Sequence, residues 1–234
     1  MGNHEPSYDL VVFGATGFVG RNLCSYLLEQ VGVNGSVNWA IDGRSQAKLA
    51  ALVAELGAPT LPTVQADVTD EESLRSLCAQ TRVVISTVGP YALYGEPLVK
   101  VCAETGTDYC DLTGEPQWIR RMIDRYQAAA QASGARIVHC CGFDSIPSDL
   151  GVHYLQQQAK QKFWGYCDRI KMRVKSAQGG ISGGTAASGI NIIQEASVDP
   201  ALREELDNPY SLCTDISPAP PQSDAHPPTL VPME

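Results

Sequence analysis

A chain of 234 residues holds enough material for one large domain, or for one domain and part of a second. With 44% hydrophobic and 18% charged residues it has the composition of a folded core rather than of a disordered chain. A formal net charge of -9 repels phosphate backbones and argues against nucleic acid as a partner.

Leu10–Phe13 is a short apolar run ending in glycine, the pattern of a buried parallel strand. Phe18, Asn22, Leu23, Tyr26 and Leu27 follow at helical spacing. Residues 37–41 predict a second strand. Ser45 reads as the N-cap of a helix that turns Leu49, Leu52, Val53 and Leu56 inward, and Gly57-Ala58-Pro59 ends it. Residues 61–66 predict a third strand. Thr69 reads as the next cap, with Glu72 completing a capping box and Leu74, Leu77 and Cys78 facing inward. Further along, 82–86, 108–111 and 135–141 predict strands, and 96–104 and 115–133 predict helices. This alternation implies βαβ crossovers, so residues 1–150 are expected to form an α/β, doubly wound parallel Rossmann sheet.

After Gly142 the pattern changes. Residues 148–160 and 185–196 predict helices, 170–174 a half-exposed strand, and 179–184 a glycine-rich loop. Residues 151–216 are therefore expected to be a partial second α/β domain, and the proline-rich residues 217–234 a disordered tail. No stretch has the roughly 18 apolar residues of a membrane span. The eight cysteines follow no signal peptide and show no metal-ligand spacing, so reduced thiols in an intracellular, cytoplasmic protein are expected and no metal site is.

Gly14-Ala15-Thr16-Gly17-Phe18-Val19-Gly20 lies between a predicted strand and a predicted helix, where a dinucleotide-binding turn belongs. Gly14 permits the tight turn, Gly17 the approach of a pyrophosphate, and Gly20 close helix–strand packing. The helix start offers free N–H groups to the phosphates. The second strand ends in Asp42-Gly43-Arg44-Ser45, at the expected ribose position. A carboxylate there favours NAD, and an arginine favours the 2′-phosphate of NADP. Arg44 and Ser45 lie in the loop and Asp42 still on the strand, so NADP is the expected cofactor. Asp67 is read either as a contact to the adenine edge or as a helix cap. Val88, Gly89 and Pro90 follow the fourth strand, where a loop covers the nicotinamide half.

Five motifs then occur in order: the glycine turn, Gly43-Arg44-Ser45, Val88-Gly89-Pro90-Tyr91 with Tyr94-Gly95-Glu96-Pro97, Asp111-Leu112-Thr113-Gly114-Glu115-Pro116, and the segment from Gly142 to Gly151. In these the chain resembles the saccharopine dehydrogenase-like oxidoreductases, a family that includes trans-acting enoyl reductases. The resemblance covers about residues 8–195. It implies an NADP-binding Rossmann domain and a closing α/β domain, here with a truncated C-terminal part. It also implies reduction of an enoyl or carbonyl group on a small-molecule or lipid-type substrate, in glycolipid or other lipid assembly. Some members are found with lipid droplets and membranes, which leaves peripheral membrane association open, as it does a homodimer.

By the same resemblance Pro90-Tyr91 and Asp144 match positions near the reacting centre. Tyr91 reads as a proton or hydrogen-bond donor, or as an aromatic packed under the nicotinamide. Asp144 reads as a group that orients substrate or cofactor, or as a helix cap. Glu115 and Asp111 are placed at the same mouth, or else are solvated loop or helix-N-terminus charges. Two further readings stay open. One is a non-catalytic nucleotide-binding scaffold at lipid surfaces. The other is a saccharopine-reductase-like enzyme, which needs cations such as Lys171, Arg173 and Lys175 to hold substrate carboxylates.

Overall fold

The computed structural model describes residues 5–213, apart from 177 and 181. The tail expected at 217–234 lies outside the described residues. The elements run β1 (Tyr8–Phe13), α1 (Phe18–Val31), β2 (Trp39–Asp42), α2 (Gln46–Glu55), β3 (Thr63–Val64), α3 (Glu71–Cys78) and β4 (Thr81–Ser86). Then come α4 (Tyr91–Tyr94), α5 (Glu96–Thr105), β5 (Asp108–Asp111), α6 (Pro116–Ser133) and β6 (Ile137–Val138). Three helices follow: α7 (Ile146–Phe163), α8 (Gly183–Val198) and α9 (Pro200–Asp207).

The strands form one sheet in the order β3-β2-β1-β4-β5-β6, and every pairing is parallel. Successive strand residues point to opposite faces, so β1 feeds two cores. Val12 packs with Cys24, Trp39, Leu49 and Leu52 under α1 and α2. Val11 and Phe13 pack with Leu74, Leu98, Trp118 and Met122 under α3, α5 and α6. Strands covered on both faces read as unbroken apolar runs, which is why β1 and β4 were visible in the sequence. Strand order reverses between β1 and β4. That switch point opens the crevice in which doubly wound folds bind ligands.

The termini follow local chemistry. Ser45 caps α2, accepting from the Lys48 N–H at 3.4 Å, as expected. The α3 cap differs from expectation. Asp70 accepts the N–H groups of Glu72 and Ser73, while the Thr69 hydroxyl is held by Asp67 at 2.8 Å. Beyond residue 142 the expected strand at 170–174 does not form. Its side chains are exposed except Ile170, and all regular elements among the described residues of this stretch are helices. The alternation of apolar and basic residues had no neighbouring strand to pair with. Among the described residues no helix is long and apolar enough to cross a membrane.

The glycine turn supplies a stability test. A Cβ on Gly20 would lie 2.5 Å from the Gly14 carbonyl oxygen and 2.7 Å from Ala15 Cα, both backbone atoms. Gly20→Ala is expected to lower the unfolding free energy by about 2 kcal/mol or more. Gly151→Ala, in α7 with nothing within 4 Å of its Cβ position, is expected to raise it by a few tenths. Urea titration of both variants checks the pair, and equal effects would contradict the close approach.

Candidate active site

At the end of β1 the chain turns through Gly14 at φ 82°, and a Cβ there would meet Val88 Cγ2 at 2.4 Å. The Ala15 N–H donates to the Asp42 carbonyl at 2.9 Å, and the Gly17 N–H to the Gly14 carbonyl at 3.1 Å. α1 starts after Gly17 with no side-chain cap. Its first-turn N–H groups at Phe18 and Val19 are therefore left for an anion. A tight turn with no room for a Cβ at Gly14 or Gly20, carrying an uncapped helix start, fits a pyrophosphate. Phe18 stands exposed on the rim, and Thr16 is half-buried against Gly43.

Asp42 and Arg44 divide the ribose end between them. Asp42 is buried, and its carboxylate accepts the Ala66 N–H at 2.9 Å and the Gly14 N–H at 3.4 Å. It ties β2 and the start of the glycine turn to the segment after β3 and does not face the loop. Arg44 is exposed, and its carbonyl is held by Gln65 Nε2 at 2.8 Å. Ser45 spends its hydroxyl on the α2 cap. Asp67 closes a local turn on Thr69, whose backbone and hydroxyl donors hold its carboxyl below the usual range.

A cavity of about 250 Å³ lies at the switch point. Val19, Thr87, Gly89, Tyr91, Leu112 and Gly114 form its floor, Asp144 one side, and the N-cap Ser182 with residues of α8 as far as Ile192 its roof. The Thr87 hydroxyl is used on the carbonyls of Phe13 and Gly14 at 3.0 and 3.1 Å. Val88 packs on the core, and Pro90 is buried at the start of α4.

Tyr91 lines this cavity with its ring, but its hydroxyl is not free. It donates to the Ser86 carbonyl at 3.0 Å and accepts the Leu112 N–H at 3.4 Å. Burial, with Asp111 nearby, pushes the phenol well above its usual range. In this geometry Tyr91 is a brace between the ends of β4 and β5 and not an available proton donor. Asp144 is exposed at the mouth and does not cap α7, whose N-cap is Ser145.

Glu115 and Asp111 are not solvated charges; they are 0% and 1% exposed. Glu115 accepts the N–H groups of Tyr91 and Ala92 at 2.8 and 3.0 Å, and the Ser188 hydroxyl at 2.9 Å. Asp111 binds Tyr109 Oη at 3.0 Å and His139 Nδ1 at 2.7 Å, and accepts the N–H groups of Thr113 and Cys140. The helix expected at 185–196 forms as α8, but its place over the cavity is what sequence reasoning missed. Its signal was present as Ser182 and Thr185, spaced as a cap, after a glycine-rich loop. Ser182 does accept the Thr185 N–H at 3.1 Å.

The NADP-binding fold is also a matter of kinship. Residues 10–138 match the family described as saccharopine dehydrogenase NADP binding domain. The chain belongs to that family, and its cofactor is NADP. Among named relatives, a trans-acting enoyl reductase of Mycobacterium ulcerans is 40% identical over 230 residues, which cover 96% of this chain and 54% of that one. A provisionally named trans-acting enoyl reductase of Mycobacterium tuberculosis is 45% identical over 210 residues, covering 89% and 49%. The chain thus spans about half the length of the curated relatives it matches. Of solved structures, the saccharopine dehydrogenase (L-Glu forming) of Saccharomyces cerevisiae aligns at a TM-score of 0.44 and 21% identity, over 63% of this chain and 32% of that one.

Burial pushes the Asp42 carboxyl up to about 7, against its backbone N–H donors, which favour the charged form. Between about pH 4 and pH 7 the folded chain keeps a proton that the unfolded chain has lost. The stability this contributes is present below the unfolded pKa and is lost as pH rises through 7. Relative to Asp42→Asn, the wild-type chain is expected to lose about 2 kcal/mol between pH 5 and pH 7.5. Urea unfolding of both chains at the two pH values checks this, and a pH-independent difference would contradict it.

Proposed function

We propose that the protein is an NADP-dependent oxidoreductase that reduces an enoyl or carbonyl group on an uncharged, lipid-type substrate in the switch-point cavity. The observation that carries this reading is the charge of the cavity lining. Asp144 is the one charged side chain among the described lining residues, and no lysine or arginine is among them. A substrate with a carboxylate at its reacting end would meet no cation there and would be repelled by Asp144. Lys171, Arg173 and Lys175, which an amino-acid substrate would need, are exposed side chains outside the lining. The names of the mycobacterial relatives support the enoyl reading.

NADPH supplies the hydride when bound. The chain's part is to hold the pyrophosphate on the α1 start, to reach the 2′-phosphate with Arg44, and to place the acceptor under α8. Ser182 and Thr185, whose hydroxyls lie 2.9 Å apart, and the Asp144 carboxyl are the groups that would orient a substrate oxygen or pass a proton. A setting at a lipid-droplet or membrane surface, a role in glycolipid assembly and a homodimer belong to the same proposal and rest on family resemblance alone. Co-sedimentation with phospholipid vesicles and the mass in solution test them.

Arg44→Ala is expected to weaken NADPH binding roughly tenfold or more while changing NADH binding by less than about twofold. Fluorescence titration of both nucleotides checks it, and equal losses would remove Arg44 from the 2′-phosphate. For turnover, NADPH consumption is expected with a 2-enoyl thioester and not with the amino-acid and oxo-acid pair of saccharopine formation. The reverse preference would overturn the proposal, and NADPH binding with neither turnover would favour the scaffold reading.

A further inference from the structure

We infer that Glu115 is a positioning residue that latches the roof helix α8 to the loop expected to cover the nicotinamide, so that the two order together. The inference rests on the reading of the cavity as the reaction site. Its basis is the way α8 is held. The helix has sixteen residues and buries none of them; Ile190, Ile193 and Val198 are exposed. Among the described residues, two polar ties join it directly to the Rossmann domain. Arg121 pairs with Glu195 at 2.8 Å near its end, and the Ser188 hydroxyl donates to Glu115 Oε1 at 2.9 Å beside the cavity.

The same Glu115 oxygen accepts the Tyr91 N–H, and its other oxygen accepts the Ala92 N–H. These are the first two N–H groups of α4, which follows the Thr87–Pro90 loop directly. The carboxylate is fully buried, so each donor it loses leaves charge uncompensated in a place water does not reach. Donors from the loop and from Ser188 therefore share one task, and the buried carboxylate is fully compensated only while loop and roof are both in place. Gly89 lies against the same joint, with its Cβ position 3.5 Å from the Tyr91 ring and 3.9 Å from Ser188 Oγ. Loop and roof meet at one buried charge with little room between them. A helix that is only half-buried along one face, at Ala187, Ile192 and Ala196, and tied at two polar points opens at lower cost than a core helix, which suits a roof that must admit substrate.

The test is hydrogen exchange of the whole chain, read separately over residues 14–20, 87–94 and 182–198. In the free protein, Ser188→Ala is expected to speed exchange roughly tenfold in both 182–198 and 87–94. Ser188→Thr, which keeps the hydroxyl, is expected to restore both segments toward wild type. In the wild type NADPH should slow both segments together, and in Ser188→Ala it should slow 87–94 without 182–198. Faster exchange confined to 182–198 in the free Ser188→Ala chain would overturn the latch, as would no change in either segment. Absent protection of 14–20 by NADPH would instead count against the cofactor site, with the free-protein comparison still deciding the latch. Glu115→Gln gives a second check, with both segments loosened more than by Ser188→Ala.

Discussion

The fold and its site depend on one close approach, that of α1 to the end of β1. Gly14 and Gly20 leave no space for a Cβ, and the gap is closed by backbone and by Val88. This contact aims an uncapped helix start at the switch point between β1 and β4, beside the cavity floor. A larger residue at Gly20 would push α1 off the sheet and turn its N-terminal N–H groups elsewhere, and one at Gly14 would strike Val88 and Thr87 after β4. The phosphate site is thus a by-product of how tightly one helix can sit on one strand.

Three buried acids then hold the loops around that crevice. Asp42 joins the glycine turn to the segment after β3, Asp111 joins the ends of β5 and β6, and Glu115 joins the loop after β4 to α8. Each accepts at least two backbone N–H groups from segments that make no regular ladder there. A buried carboxylate with several amide donors is a strong fixing point in a place where loops lack apolar cover. Acids near a cofactor invite a chemical reading, yet at these three positions the structure uses them for order. Asp144, the exposed acid, is the one left facing the cavity.

The Rossmann half was legible because its signals are local. Buried strands are short apolar runs, and the turn that follows β1 needs glycines at fixed spacing. The edge strands β3 and β6 were overextended, since each has one neighbour and the ladder stops early. Ser45 was readable as a cap because its hydroxyl acts three residues away. Thr69 was misread because Asp67 competes for the same hydroxyl. The role of Tyr91 was not legible either. Its hydroxyl partners, Ser86 and Leu112, come from two different strand ends that only the sheet brings together. The same holds for Glu115 and Ser188, 73 residues apart in sequence and joined by one hydrogen bond.

The most direct test of the account is an amide chemical-shift titration of the full chain with NADPH. The account predicts one saturable site, with the largest shifts at Thr16, Gly17, Phe18, Val19 and Gly20 and further shifts at Arg44 and Gly89. Saturable binding that leaves the glycine-turn amides unmoved and shifts another surface would contradict it.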